Sequence, residues 1–213
     1  MLPARFRYIA VEGAIGVGKT TLAKALARYL DARFIGEDAA GNPFLGSFYA
    51  DMRTFAFQTQ IFFLVSRYRQ QREILQADLF HPVTVTDYIF EKDSVFASIC
   101  LDEEEMKLYR ALQSMLAPKV PKPDLVVFLQ SSTDALMDRI AKRRARFEDS
   151  LDRKYLERVV ESYRHFFFDY KDAPLLVVDT EAVNVSADRI NLAGLVEQMA
   201  RMESGTQYYT PTR

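Results

Sequence analysis

The chain has 213 residues, 49% hydrophobic and 27% charged, enough sequence to enclose one large core with an ordinary globular balance. Its 28 basic and 29 acidic residues leave a net charge of −1, which argues against nucleic acid or an anionic membrane as the main partner. Cys100 is the one cysteine, so an intrachain disulfide is excluded and a reducing compartment, the cytoplasm, is expected.

A first strand is predicted over about 6–12, where Tyr8-Ile9-Ala10-Val11 is apolar. It runs into Gly13, Ala14, Ile15, Gly16, Val17, Gly18, Lys19 and Thr20, a complete GxxxxGK[ST] loop, and then into the helical pattern from Thr21 and Leu22 to Leu26. The spacing implies phosphate binding. Glycines let successive N–H groups turn inward, Lys19 adds a fixed charge, and the Thr20 hydroxyl can hold Mg²⁺ at a helix N-terminus. Four fixed positions match by accident in about one chain in a hundred of this length, and the flanking strand and helix make accident remote. Arg5, Arg7 and the apolar run behind them imitate a signal peptide, but Glu12 interrupts the run and Lys19 closes it. No apolar stretch approaches the length of a bilayer span.

A second strand over 33–37 ends in Glu37, where a carboxylate can orient a hydroxyl and accept its proton. The segment 54–75 reads as a helix whose first half is apolar on all sides and therefore buried. Gln60 and Arg67, seven residues apart, fall within about 20° of each other on its surface. Buried, they need partners: a planar heterocycle would serve, as would a carboxylate and a backbone group. A third strand over 82–87 ends in Asp87, expected to act as a Mg²⁺ partner; Asp179, at the end of a strand over 174–179, is its rival. A fourth strand covers 124–130, fed by the proline-rich loop 118–123.

Alternation of these five strands with helices predicts an α/β fold, a five-stranded parallel sheet with helices on both faces and ligands at the strands' carboxyl ends. One domain spanning 1–213 is expected. Within it, the cationic run from Arg139 to Arg146, including Arg143 and Arg144, ends a helix and is expected to form a lid over about 139–152. The tail 205–213 has no helical periodicity and could pack on the body or fray. His81 and His165 lack any partner at catalytic or ligand spacing and read as structural or surface residues.

Assembled, these motifs resemble the deoxynucleoside kinase family, closest to its bacterial purine branch. The resemblance runs through nearly the whole chain. It rests on the phosphate loop, Glu37, Asn42-Pro43-Phe44-Leu45, Phe48-Tyr49-Ala50-Asp51, Phe57-Gln58-Thr59-Gln60, Ser66-Arg67 and the run from Arg139 to Glu148. It implies transfer of the γ-phosphate of ATP or another triphosphate, with Mg²⁺, to the 5′-hydroxyl of a deoxynucleoside, and a homodimer. Glu37 would be the base, Tyr49 and Glu148 partners of the 3′-hydroxyl, and Gln60, Arg67 and Asp93 the base-recognition set of a purine or cytosine pocket. Two departures stand out. Asp87 is followed by Tyr88 where the family has arginine, leaving Lys92 or a lid arginine to supply that charge. Arg144-Ala145-Arg146 is one residue out of the usual phase, so the transition-state arginine is open among Arg139, Arg143, Arg144 and Arg146. Two other readings compete: a monophosphate kinase of the thymidylate kinase type, and a GTP-binding switch, for which Asp38-Ala39-Ala40-Gly41 imitates one element while no guanine-reading motif occurs.

Overall fold

A computed structural model of the chain describes residues 2–75, 80–143, 151–181 and 191–211, with nothing stated of the Arg143 side chain. In chain order the elements are β1 (Tyr8–Gly13), α1 (Lys19–Tyr29), β2 (Arg33–Ile35), α2 (Leu45–Ala50), α3 (Met52–Ile74), β3 (Thr84–Thr86), α4 (Lys92–Cys100) and α5 (Glu103–Leu116). After a short 3₁₀ turn come β4 (Leu125–Gln130), α6 (Thr133–Arg143), α7 (Arg153–Phe168), β5 (Leu175–Asp179), α8 (Leu192–Arg201) and β6 (Thr206–Tyr209). The sheet order is β2-β3-β1-β4-β5-β6 and every pairing is parallel. Parallel strands covered on both faces read as unbroken apolar runs, as Leu125 to Leu129 and Leu175 to Val178 do.

The five predicted strands are all present, and the sheet gains a sixth. Gly205 takes a left-handed turn (φ 69°), after which Thr206 to Tyr209 pairs with Leu175 to Val178. This edge strand leaves Tyr208 exposed, so it carries no apolar run to announce it; only its β-branched and aromatic residues favour extension. Part of the tail expected to pack or fray is therefore ordered strand.

Helix α3 corrects a second expectation. Asp51 caps it by accepting the Thr54 amide at 3.2 Å, and its buried residues are Ala56, Thr59, Gln60, Leu64, Arg67 and Gln71. Apart from the adjacent Thr59 and Gln60, these recur every three or four positions, so one stripe faces inward, and that stripe is mostly polar. Phe57, Ile61 and Phe62 are only half-buried and Val65 is exposed, so the helix is not buried on all sides. The inner stripe is anchored at its far end by Gln71, whose Nε2 donates to the Tyr8 hydroxyl at 2.9 Å. Helix α7 is more conventional: Tyr155, Leu156, Val159, Val160, Tyr163 and Phe167 form its apolar stripe, and Phe167 stacks on Phe128 of β4 with centroids 4.3 Å apart.

Within β1 a carboxylate is fully buried. Glu12 Oε1 accepts the Gly13 amide (2.8 Å) and the Tyr163 hydroxyl (3.0 Å), while Oε2 accepts the Ile89 amide (3.0 Å). One side chain thus ties the start of the phosphate loop to the turn after β3 and to α7. Glu12→Ala would strand two buried N–H groups, and the expected cost is about 3 kcal/mol or more. Urea denaturation measures it, and a loss below about 1 kcal/mol would show that water replaces the carboxylate.

Candidate active site

The loop after β1 takes its shape from backbone geometry that only glycine supplies easily. A Cβ on Gly13 would meet the Leu129 carbonyl oxygen at 2.5 Å, and Gly18, the residue just before α1, has φ 102°. No side chain caps the first turn of α1, so its N–H groups remain available to an anion. Lys19 Nζ lies across the loop, donating to the carbonyls of Gly13 (2.8 Å) and Ala14 (3.1 Å). Burial pushes its pKa down to about 8, and the neighbouring positive charge of Lys92 adds to that push.

Beside the loop, the carboxyl ends of β2 and β3 converge. Asp87 Oδ2 accepts the Thr20 hydroxyl at 2.5 Å, and its Oδ1 accepts the Glu37 amide at 2.8 Å. This works because β3 lies between β2 and β1 in the sheet, so Asp87 reaches both neighbours. Asp179 is exposed at the end of β5, accepting a local amide from Glu181, and has no such role.

The Glu37 side chain is held from two helices. Arg67 of α3 donates to Oε1 from Nε at 2.7 Å and again from its second nitrogen, while Lys92 of α4 donates to Oε2 at 2.7 Å. Burial works to raise the Glu37 pKa, but the charges of Arg67 and Lys92 outweigh it and hold the carboxyl well below the usual range. The remaining nitrogen of Arg67 pairs with Asp93, which is fully buried behind it.

These groups face one cavity of about 310 Å³, at the lower end of the range for small-molecule sites. Its lining takes Ile15, Gly16, Lys19 and Thr20 from the loop and the start of α1, Tyr49 from α2, Gln60 and Arg67 from α3, and also Glu37, Asp87 and Lys92. The Glu37 amide is tied to Asp87 and its carboxylate to Arg67 and Lys92. The buried Gln60 amide oxygen has no partner among the described residues, an arrangement costing about 1 to 3 kcal/mol until a donor arrives. Phe63 and Phe96 add aromatic wall.

Several sequence expectations are met in position and others are not. Gly13, Ala14, Val17 and Gly18 shape the loop, Thr21 is exposed on α1, and Asp93 stands behind Arg67 instead of on the cavity wall. Arg139, one of the candidate transition-state arginines, has its guanidinium donating to the Thr180 carbonyl (2.5 Å) and hydroxyl (3.2 Å) just after β5. Arg144, Arg146, Glu148 and half of the expected lid, residues 144–150, lie outside the described residues, as does the Arg143 side chain. Asp38 accepts the Gly41 amide at 2.9 Å, so the switch-like Asp38 to Gly41 element closes as a local turn. Sequence reasoning passed over Phe63, Phe96, Tyr155 and the buried Glu12. Glu12 had a signal, a carboxylate inside a strand buried on both faces, whereas Tyr155 joins the cavity from α7, far along the chain.

Thr20 and Asp87 offer adjacent hydroxyl and carboxylate oxygens, a hard-oxygen pair that suits Mg²⁺. Among the described residues no cluster of three or more His, Cys, Asp or Glu side chains could hold a metal, so phosphate and water would complete the coordination.

The family model for deoxynucleoside kinase matches residues 9–202. Deoxyguanosine kinase of Bacillus subtilis (strain 168) is 34% identical over 160 residues, covering 73% of this chain and 76% of that protein. The deoxyadenosine/deoxycytidine kinase of the same organism is 29% identical over 199 residues, covering 90% and 91%. A solved deoxyadenosine kinase from M. mycoides with dATP bound has a TM-score of 0.75 and 23% identity, covering 91% of this chain and 96% of that one, and so shares the fold.

Because Arg67 grips Glu37 as well as Asp93, its loss should leave the Glu37 carboxylate poorly placed. Arg67→Met is expected to lower kcat by about a hundredfold on every acceptor, the scale of a misplaced reacting group. Steady-state kinetics would contradict this if KM rose while kcat stayed within about twofold.

Proposed function

The chain belongs to the deoxynucleoside kinase family, so it is a phosphotransferase acting on a hydroxyl group, and we propose that its acceptor is a purine deoxynucleoside. The donor is the γ-phosphate of ATP or another nucleoside triphosphate, and the accepting oxygen is the 5′-hydroxyl. One observation carries this reading: Lys19 and Thr20 share a single cavity with Gln60 and Arg67, and Glu37 links them, bonded through its amide to the Asp87 that holds Thr20 and through its carboxylate to Arg67.

In the proposed mechanism the loop amides and Lys19 hold the triphosphate. Thr20 and Asp87 hold Mg²⁺, which when bound would offset charge on the transferring phosphate. Glu37 orients the 5′-hydroxyl and takes its proton; Tyr49, with Glu148, fixes the 3′-hydroxyl. Gln60 meets the base edge, and its unpartnered oxygen calls for an N–H donor such as purine bases present. The names of the B. subtilis relatives, deoxyguanosine and deoxyadenosine/deoxycytidine kinases, point the same way. Arg143 and Arg144 belong to the proposed lid over the phosphates. The reading includes one kinase domain over the whole chain, a homodimer for which half-buried Phe57, Ile61 and Phe62 on the outer face of α3 supply apolar surface, and a cytoplasmic location. No helix among the described residues is long and apolar enough to cross a membrane.

The test is a phosphorylation assay over the four deoxynucleosides and their 5′-monophosphates, with Glu37→Gln alongside. Purine deoxynucleosides should exceed thymidine by about tenfold or more in kcat/KM, about 1.4 kcal/mol of discrimination. Glu37→Gln should lower kcat by about 10² to 10⁴ while triphosphate binding persists. Preferential use of a monophosphate, or an unimpaired Glu37→Gln, would contradict the proposal.

A further inference from the structure

Lys92 occupies a place that helix chemistry disfavours. It is the first residue of α4, where the positive end of the helix dipole opposes a cation, and it is almost wholly buried. Its Nζ sits 2.7 Å from Glu37 Oε2 and 5.7 Å from the centre of the Phe96 ring, on the wall of the cavity that also holds Lys19 and Thr20. Glu37 does not need it for neutralisation alone, since Arg67 already covers Oε1.

The position beside Asp87 cannot supply a cation. Tyr88 is fully buried, its hydroxyl without a hydrogen-bond partner among the described residues, and it does not line the cavity. On the cavity wall Glu37 and Asp87 meet Lys19, Arg67 and Lys92, and Asp93 behind Arg67 brings these charges into balance. An incoming triphosphate, even with a divalent cation, adds negative charge that this balance leaves uncovered. Of the three cations, Arg67 is fixed by two carboxylates and Lys19 is already assigned to holding the triphosphate, whereas Lys92 has a single ionic partner among the described residues and a flexible stem.

We propose that Lys92 is a mobile catalytic cation: it holds Glu37 Oε2 before the acceptor arrives, then yields that oxygen to the acceptor hydroxyl and turns its ammonium onto the transferring phosphoryl group. This deepens the proposed function and rests on it. In the step, the acceptor oxygen bonds to the γ-phosphorus as the bond from that phosphorus to the β,γ-bridging oxygen breaks. The hydroxyl proton passes to Glu37, the nucleoside diphosphate departs with the bridging oxygen and its electron pair, and Lys92 stays protonated throughout. Its contribution is charge stabilisation, of the kind that preorganised cations give to phosphoryl transfer.

Lys92→Met and Lys92→Arg in the full chain test this, with kcat, both KM values and deoxynucleoside binding without donor. Lys92→Met should lower kcat by about a hundredfold or more, with the KM values within about threefold, and bind the deoxynucleoside at least as well as the unaltered protein. Lys92→Arg should stay within about tenfold of full turnover, because the charge remains. Lys92→Met within about threefold of full kcat, or a loss confined to KM, would reduce the residue to an ion-pair partner and overturn the proposal. If Lys92→Met does not fold, Lys92→Arg decides: retained turnover supports the proposal, and a hundredfold loss in a variant that still binds deoxynucleoside overturns it. An unaltered protein that phosphorylates no deoxynucleoside would overturn the parent reading; full activity with an unimpaired Lys92→Met would overturn this one alone.

Discussion

The Glu37 carboxylate, gripped by Arg67 on one oxygen and Lys92 on the other, is the point on which the cleft is built. Three elements meet there. The end of β2 brings Glu37, the inner stripe of α3 brings Arg67, and the first turn of α4 brings Lys92. Taking such charges out of water is costly, and the cost is recovered only where geometry is tight and further hydrogen bonds are satisfied. Asp87 contributes that order by fixing the Glu37 amide and the Thr20 hydroxyl together, so the carboxylate is held in register with the phosphate loop.

Sheet order explains how a short segment can do this. With β3 between β2 and β1, the acid ending β3 reaches the loop after β1 on one side and the turn after β2 on the other. Glu12 then locks the same region from beneath, joining the loop's first glycine to Ile89 and to Tyr163 of α7. Helix α7 is in turn packed on β4 through the stacked rings of Phe167 and Phe128. A carboxylate bonded on both oxygens beside a cavity suits chemistry that depends on positioning and fixed charge.

The parts legible in the sequence were local ones. The phosphate loop is contiguous, and Glu37 and Asp87 were found because strand ends point ligands to one edge of a parallel sheet. Gln60 and Arg67 were legible as a pair because seven residues bring a helix back to the same face. What escaped was set by tertiary contact. The aromatic residues of α3 drew attention to the wrong face, since burial went to the polar stripe while Phe57, Ile61 and Phe62 remained half-exposed. β6 lacked an apolar run because it is an edge with Tyr208 in solvent. The pairing of Arg67 with Glu37 depends on two segments thirty positions apart and has no sequence pattern.

The central claim is that donor and acceptor occupy one cleft on either side of Glu37. The most direct measurement is the affinity of a bisubstrate compound, a purine deoxynucleoside joined through its 5′-oxygen and a polyphosphate to adenosine, compared with each half by calorimetry. A compound spanning both sides should bind about a hundredfold or more tighter than either half, because the second contact becomes intramolecular. Affinity no better than that of the stronger half would mean that the two sides cannot be filled together, and would contradict the single-cleft arrangement.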